Sequence, residues 1–169
     1  KPNEWARGVQ EASKGSSSTT RVGQMQVQYW TAFGEFLTKN KAPFKPPKPS
    51  ASNWIPYGLG RSGTALLAFV NAGHISVGVD INQREHPTWF TKLEAQRAEI
   101  EAATGLAMEW EAKPDAKFAR LRAWLELDMY DEANWPKAHA WLFERLVALR
   151  EAFRPRILAL GDGPEENGA

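Results

Sequence analysis

The chain has 169 residues, a formal net charge of +1 and no cysteine. This length fits one domain with a hydrophobic core, and the lack of cysteine excludes disulfides, thiolate zinc sites and cysteine nucleophiles. No apolar run reaches the length of a membrane span, so we expect a cytoplasmic protein without a membrane partner. The small net charge gives no global polyanion signal. Without the three acids of the last segment, however, the sum rises from +1 to about +4.

Both ends of the chain differ in composition from its middle. Residues 1–20 contain few apolar side chains and a run of serine and threonine, which predicts a linker from a preceding N-terminal domain. Residues 161–169, "GDGPEENGA", predict a disordered acidic tail. Residues 21–160 are therefore expected to form a single α+β domain. The preceding domain would be a partner of this one within a longer protein.

The first predicted element is a helix from Arg21 to Lys39. Its apolar stripe consists of Val22, Met25, Tyr29, Phe33 and Phe36. Prolines then stop the helix and favour an extended segment, "KNKAPFKPPKPSAS". This segment holds Lys39, Lys41, Lys45 and Lys48. It is interpreted either as a flexible basic arm that contacts phosphates or as a solvated connector.

The stretch "GLGRSG", Gly58 to Gly63, has the G-x-G-x-x-G spacing of dinucleotide-binding loops. The residues after it argue against that interpretation. "HISVGVDIN" alternates apolar and polar residues, which predicts a half-buried strand, and "VNAGH" before it predicts a hairpin turn with Gly73 at positive φ. "TALLAFVN" is then the partner strand rather than a crossover helix, so we expect no NAD, FAD or other cofactor. The loop instead predicts an anion site formed by its amides, Arg61 and Ser62.

Two helices and two strands are predicted in the rest of the chain. The middle helix runs from Pro87 to about Thr104 and ends at Gly105, and the last helix begins after an Asn134 cap and frays at Pro155. The fourth and fifth strands are "LAMEWEA" and "KFARLRAWLEL". The predicted order is αβββαββα, with an antiparallel or mixed sheet of about five strands packed against three helices.

The fifth strand carries the main candidate site. Its inward side is aliphatic, whereas its outward side presents Phe118, Arg120, Arg122, Trp124 and Glu126. Arginines between aromatic rings suit nucleic acid, because cations meet phosphates and rings stack on bases. A charged, solvent-exposed sheet face is the alternative. The predicted nucleic-acid-binding set is Arg61, Ser62, Lys117, Phe118, Arg120, Arg122 and Trp124.

Four strings in this sequence carry a family resemblance. They are "YW" at Tyr29, "GRSG" at Gly60, "QRAEIE" at Gln96 and "LREAFRPR" at Leu149. Together they resemble the family catalogued as domain of unknown function 4268, over roughly residues 21–160. The resemblance implies the C-terminal part of a bacterial protein whose N-terminal part looks like a nuclease, and "KPNEW" is similar to the junction between the two. It implies no established activity and no catalytic residue.

Three hypotheses of function follow. The first is a non-catalytic module that binds nucleic acid or supports assembly of a larger, nuclease-associated protein. The second is a homodimerisation or protein-interaction domain that uses exposed tryptophans such as Trp54, Trp110 or Trp124. The third is a metal nuclease in which Asp80 and Glu111 bind Mg²⁺ and Lys113 steadies the attacking water. We expect no catalysis and no metal site in this chain, which ranks the third hypothesis last.

Overall fold

The computed structural model describes residues 20–161. Its elements are α1 Arg21–Lys39, β1 Trp54–Gly58, β2 Thr64–Val70, β3 His74–Asn82, α2 Trp89–Glu94, α3 Arg97–Thr104, β4 Glu109–Glu111, β5 Phe118–Glu126, a 3-10 turn Glu132–Asn134 and α4 Trp135–Gly161. The α+β class, the five strands and the order of elements are confirmed. Most of the predicted linker and acidic tail lies outside the described residues. Within those residues, no helix is both long and apolar enough to cross a membrane.

The five strands form one antiparallel sheet with the order β1-β2-β3-β5-β4. The predicted hairpin joins β2 to β3, where the Asn71 N–H donates to the His74 carbonyl. Gly73 does not adopt the positive φ that we expected of it. Both edge strands are poorly suited to pairing with another chain: β1 contains Pro56, and β4 has three residues, two of them glutamates.

The described residues fall into two compact units. The first contains residues 20–57, 68–76 and 124–143, and the second contains residues 58–67, 77–123 and 144–161. In the first unit, the buried core includes the α1 residues Tyr29, Phe33 and Leu37. In the second unit, apolar side chains from strands and helices are fully buried, including Val79, Leu93, Ile100, Leu121 and Phe153. Each unit therefore has a hydrophobic core of its own.

The prediction that β3 is half-buried is wrong. Every residue of this strand from Ile75 to Ile81 is buried, including Ser76, Gly78 and Asp80 on the side expected to be polar and solvated. The reason is the position of β3 in the middle of the sheet, between β2 and β5. A β-carbon at Gly78 would lie 2.5 Å from the carbonyl oxygen of Leu121 in β5, so only glycine fits this contact.

The helices confirm the predicted segments but differ in detail. In α1, the buried side includes Gln26, whereas Met25 and Phe36 are only half-buried. The middle helix is two helices, α2 and α3, with a break at Gln96. At this break the Gln96 side-chain oxygen accepts a hydrogen bond from Arg156 Nε at 2.8 Å. Gly105 ends α3 in the left-handed conformation, as predicted.

The last helix begins at Trp135, directly after Asn134 as predicted, but its cap and its end differ from the prediction. Asn134 does not cap α4: its side chain donates to the Asp128 carbonyl, and Asp131 caps the preceding 3-10 turn. The helix also continues through Pro155 to Gly161. Burial of Ile157 in the core favours this continuation beyond the proline, because helix packing outweighs the loss of one backbone hydrogen bond.

Candidate functional site: the outward face of strand β5

Arg120 forms the strongest polar contact on the outward side of β5. Its Nε and Nη2 atoms each donate to one carboxylate oxygen of Asp80 at 2.6 Å, which makes a bidentate pair between neighbouring strands β5 and β3. The hydrogen bond to Asp80 raises the pKa of Arg120. This arginine is therefore already engaged within the second unit.

The neighbouring strand β4 places carboxylates opposite both arginines. Glu111 pairs in register with Arg120, and Glu109 pairs with Arg122, so these charges lie on the same side of the sheet. Burial and the positive charge of Arg120 lower the pKa of Arg122, while the nearby acids oppose that effect. Arg120 and Arg122, which were predicted to form a cationic surface, therefore alternate with carboxylates across the sheet. This arrangement favours the second interpretation of β5, a sheet face that carries both charges.

Aromatic side chains lie at the two ends of the arginine pair. Phe118 and Trp124 are 40% and 44% exposed, respectively, and Lys117 lies over the Phe118 ring at 5.5 Å. The alternation predicted for β5 is confirmed, since Ala119, Leu121 and Ala123 are buried.

Of the other two tryptophans considered for an interface, only one is exposed. Trp54 on β1 is 44% exposed. Trp110 is half-buried, packs against Phe90 and Phe153, and donates its indole N–H to Glu101. Trp110 is therefore part of the second unit's interior packing.

The residues of the nuclease hypothesis contact other parts of the second unit. Asp80 is held by Arg120, and Glu111 faces the same arginine from β4. The carbonyl of Lys113 accepts a hydrogen bond from the Gln83 side chain. Within residues 20–161, no group of three or more histidine, aspartate or glutamate side chains could hold a metal ion. The arrangement places Arg120 between carboxylates of the two neighbouring strands, which links β3, β5 and β4.

The glycine loop between β1 and β2 already contacts a carboxylate of the chain. The Ser62 hydroxyl donates to Glu85 in a short hydrogen bond, and a ring nitrogen of His86 lies 2.8 Å from the Ser62 carbonyl oxygen. His86 also stacks flat on Trp89 with 3.5 Å between ring centroids. Gly63 has a φ of 78°, and a β-carbon there would lie 2.9 Å from a Glu85 oxygen. Glu85 therefore lies where we expected an external anion.

Arg61 lies at the other end of that loop, close to the last turn of α4 at Gly161. Gly60 approaches Arg154 and Leu158 of the same helix. The loop thus packs along the end of α4, whereas Arg120 is held by Asp80 of β3. Glu85 and His86 were not predicted, because they follow β3 by a turn and nothing in their local sequence links them to Ser62.

A buried polar pair in the first unit was also not predicted. His139 of α4 is 9% exposed, and its Nδ1 lies 3.1 Å from the hydroxyl of the fully buried Tyr29. Phe33, Phe36 and Trp135 surround the imidazole. Burial lowers the pKa of His139 to about 4 and raises that of Tyr29. The neutral forms of both side chains therefore fit this cluster.

Comparison with known proteins gives a family but no activity. The family described as Domain of unknown function (DUF4268) matches residues 25–157. The chain belongs to this family. No curated protein matches the DUF4268 chain at a significant level. The resemblance seen in the sequence is thereby confirmed, while a nuclease-like N-terminal part stays a prediction.

One solved structure is distantly similar to this DUF4268 domain. It is YbjN of E. coli, described as a proposed transcription regulator, with 10% identity and a TM-score of 0.36. The similarity covers 73% of this chain and 92% of the YbjN chain. A similarity this low carries no conclusion about function.

Proposed function

We propose that this DUF4268 domain is a non-catalytic assembly module that binds a protein, in the first place a second copy of itself, on the outward face of β5. The observation that carries the proposal is that Arg120 and Arg122 have carboxylates on the neighbouring strands, while Phe118 and Trp124 remain exposed on either side of them. Exposed aromatic rings beside arginines are typical of the residues that contribute most to protein interfaces.

The charge pattern supports a protein rather than a polyanion at this face. Asp80, Glu109 and Glu111 give three negative charges around the two arginines, so a phosphate backbone would meet carboxylates as well as cations. A mixed-charge face is also self-complementary. The arginines of one copy can meet the glutamates of another across a two-fold axis.

The edges of the sheet also favour binding of a partner to its face. Pro56 in β1 and the short, glutamate-flanked β4 disfavour the addition of a strand from another chain. Packing of outward side chains is then the remaining way for this sheet to contribute to an interface.

The proposal is tested by measuring the mass of the chain in solution at several concentrations, with Trp124→Ser and Trp54→Ser as a matched pair. Both tryptophans are 44% exposed, but they lie on β5 and β1, respectively. We expect concentration-dependent dimers of the wild type. Loss of a central aromatic contact costs about 2 kcal/mol or more, so Trp124→Ser should weaken association roughly 30-fold.

The Trp54→Ser variant should associate like the wild type. A chain that stays monomeric at high concentration, or that loses association equally with either substitution, would refute self-association through β5. Near-ultraviolet and far-ultraviolet circular dichroism of each variant would verify that the domain remains folded.

A further inference from the structure

A second surface, in the first unit, is formed by Lys39, Lys41, Lys45 and Lys48, which we call the lysine ridge. All four side chains are exposed, and none makes a hydrogen bond or ion pair with another residue in the described range 20–161. The sequence contains no acidic residue between Glu35 and Asp80. Unlike the arginines of β5, these cations have no carboxylate counterparts close by in the sequence apart from Glu35.

The backbone that carries the ridge is fixed to the first unit at its helical end. Lys41 adopts a φ of 55°, and the N–H groups of Lys41 and Ala42 donate to the carbonyls of Thr38 and Leu37. This is the hydrogen-bond pattern of a Schellman motif, which gives the chain a defined direction after α1. The turn therefore holds the first residues of the segment against the end of α1.

Three contacts hold the rest of the segment. The Phe44 ring meets Tyr57 edge-on at 5.1 Å, and Pro46 approaches Gly34 of α1. At the far end, the Trp30 indole N–H donates to the Ser52 carbonyl at 2.8 Å. Because the lysines project from a held backbone, a ligand that binds them has less chain entropy to remove.

A groove brings lysines from the helix and from the extended segment onto one surface. Its volume is about 550 Å³, and its lining includes Lys39 of α1, Lys48, and Pro46, Pro47 and Pro49. Lys45 and Lys48 lie three residues apart in this proline-rich segment, which is the repeat of a polyproline helix. Two of the four ridge lysines, Lys39 and Lys48, therefore line the groove, together with the carboxylate of Glu35.

We propose that the lysine ridge binds the phosphate backbone of duplex nucleic acid without sequence preference. Lysine is a hydrated point charge that suits phosphates and is depleted in protein interfaces. Single strands are bound by stacking on exposed rings, but the strongly exposed aromatic residues of the described chain are Trp54, Phe118 and Trp124, outside the ridge. These features favour a duplex over a protein and over a single strand.

The number of lysines sets the expected salt dependence. Four phosphate contacts on a duplex give a slope of log K against log salt of about −3.6. Affinity should then fall about 150-fold between 50 and 200 mM salt.

The test is fluorescence anisotropy of the full chain with a labelled 20-base-pair duplex across a salt series. The ridge variant replaces all four lysines by glutamine. The control variant replaces the exposed residues Arg21, Arg84, Arg97 and Lys137 by glutamine, which removes the same charge elsewhere. We expect the ridge variant to bind at least tenfold more weakly at 50 mM salt with a nearly flat slope, and the control to keep a slope close to the wild-type value.

Four results would overturn the proposal: no duplex binding by the wild type at 50 mM salt, equal loss in both variants, tighter binding of a single strand, or equal binding of a poly-glutamate peptide. The last result would assign the ridge to acidic proteins instead. Equal loss in both variants would indicate a net-charge effect rather than binding at the ridge. Thermal unfolding of each variant verifies that the domain is intact.

Discussion

The buried pair of His139 and Tyr29 predicts a specific loss of stability in mild acid. Burial of the imidazole lowers its pKa from 6.5 to about 4. The unfolded chain therefore binds a proton at this histidine at a pH where the folded chain does not. Stability is fully present above pH 6.5 and falls as the pH decreases towards 4.

The size of the effect follows from the two pKa values of His139. Each pKa unit corresponds to about 1.4 kcal/mol, so the full contribution is about 3 kcal/mol. Between pH 7.5 and pH 4.5, the free energy of unfolding should fall by about 2.5 kcal/mol through this residue alone. That is a large fraction of the stability of a typical domain.

Urea unfolding at several pH values, followed by tryptophan fluorescence, measures this contribution. The wild type also contains titrating carboxylates, so the comparison is with His139→Phe, which removes the ionisable group but keeps a ring. Over the same pH range, the free energy of unfolding of His139→Phe should fall by about 2.5 kcal/mol less than that of the wild type. Tyr29→Phe is the control, because burial rather than the tyrosine hydroxyl lowers the pKa, and it should keep the wild-type dependence. Identical pH dependences for wild type and His139→Phe would refute the reasoning.

Four further substitutions test three local features, each by urea unfolding at neutral pH. Gly78→Ala should cost about 1–3 kcal/mol, because the added carbon would lie 2.5 Å from the Leu121 carbonyl, and an unchanged stability would contradict this close approach. Lys41→Gly should raise the free energy of unfolding by about 0.5–1 kcal/mol, because glycine adopts a φ of 55° without the strain that a lysine has there. A lower stability would show that the turn depends on the lysine. Asp80→Asn should lower the free energy of unfolding by about 1–3 kcal/mol. When Arg120→Gln is combined with Asp80→Asn, the additional loss should be smaller than the loss from Arg120→Gln alone, because the two residues form one pair. Losses that simply add would mean that the pair is not coupled.

Local sequence patterns were sufficient where the decisive interactions lie close together in the chain. The alternation along β5 and the turn between β2 and β3 depend on neighbouring residues, and both were predicted. The end of α3 at Gly105 was predicted for the same reason, since a left-handed residue after a helix is a local signal.

Features set by distant parts of the chain were not predicted. Apolar and polar residues alternate in β3, and this pattern does not reveal whether the polar side of the strand is exposed or buried. Only the strand order shows that β3 lies in the middle of the sheet. The break at Gln96 depends on Arg156, and the continuation through Pro155 is favoured by burial of Ile157. Gln96 and Arg156 lie 60 residues apart in the chain, and the core that buries Ile157 is formed by residues distant in sequence.

The same distinction explains why the two basic surfaces differ in their proposed roles. Arg120 and Arg122 alternate with aromatic residues in the sequence, but their partners Asp80, Glu109 and Glu111 arrive from other strands. An arginine row on a strand is therefore evidence of a cationic surface only when the neighbouring strands are known. Pairing within the sheet uses these arginines structurally and leaves the aromatic rings beside them as the feature that a partner can bind.

The lysine ridge differs because its extended, proline-rich backbone does not belong to the sheet. Proline lacks the N–H group that strand pairing requires, so no neighbouring strand supplies carboxylates to this segment. The Schellman turn and the packing of Pro46 on α1 hold the segment while its lysines stay in solvent. Water solvates these exposed cations, and Glu35 is the one carboxylate beside them in the groove lining. A phosphate backbone that binds the lysines releases its condensed counterions, which favours association.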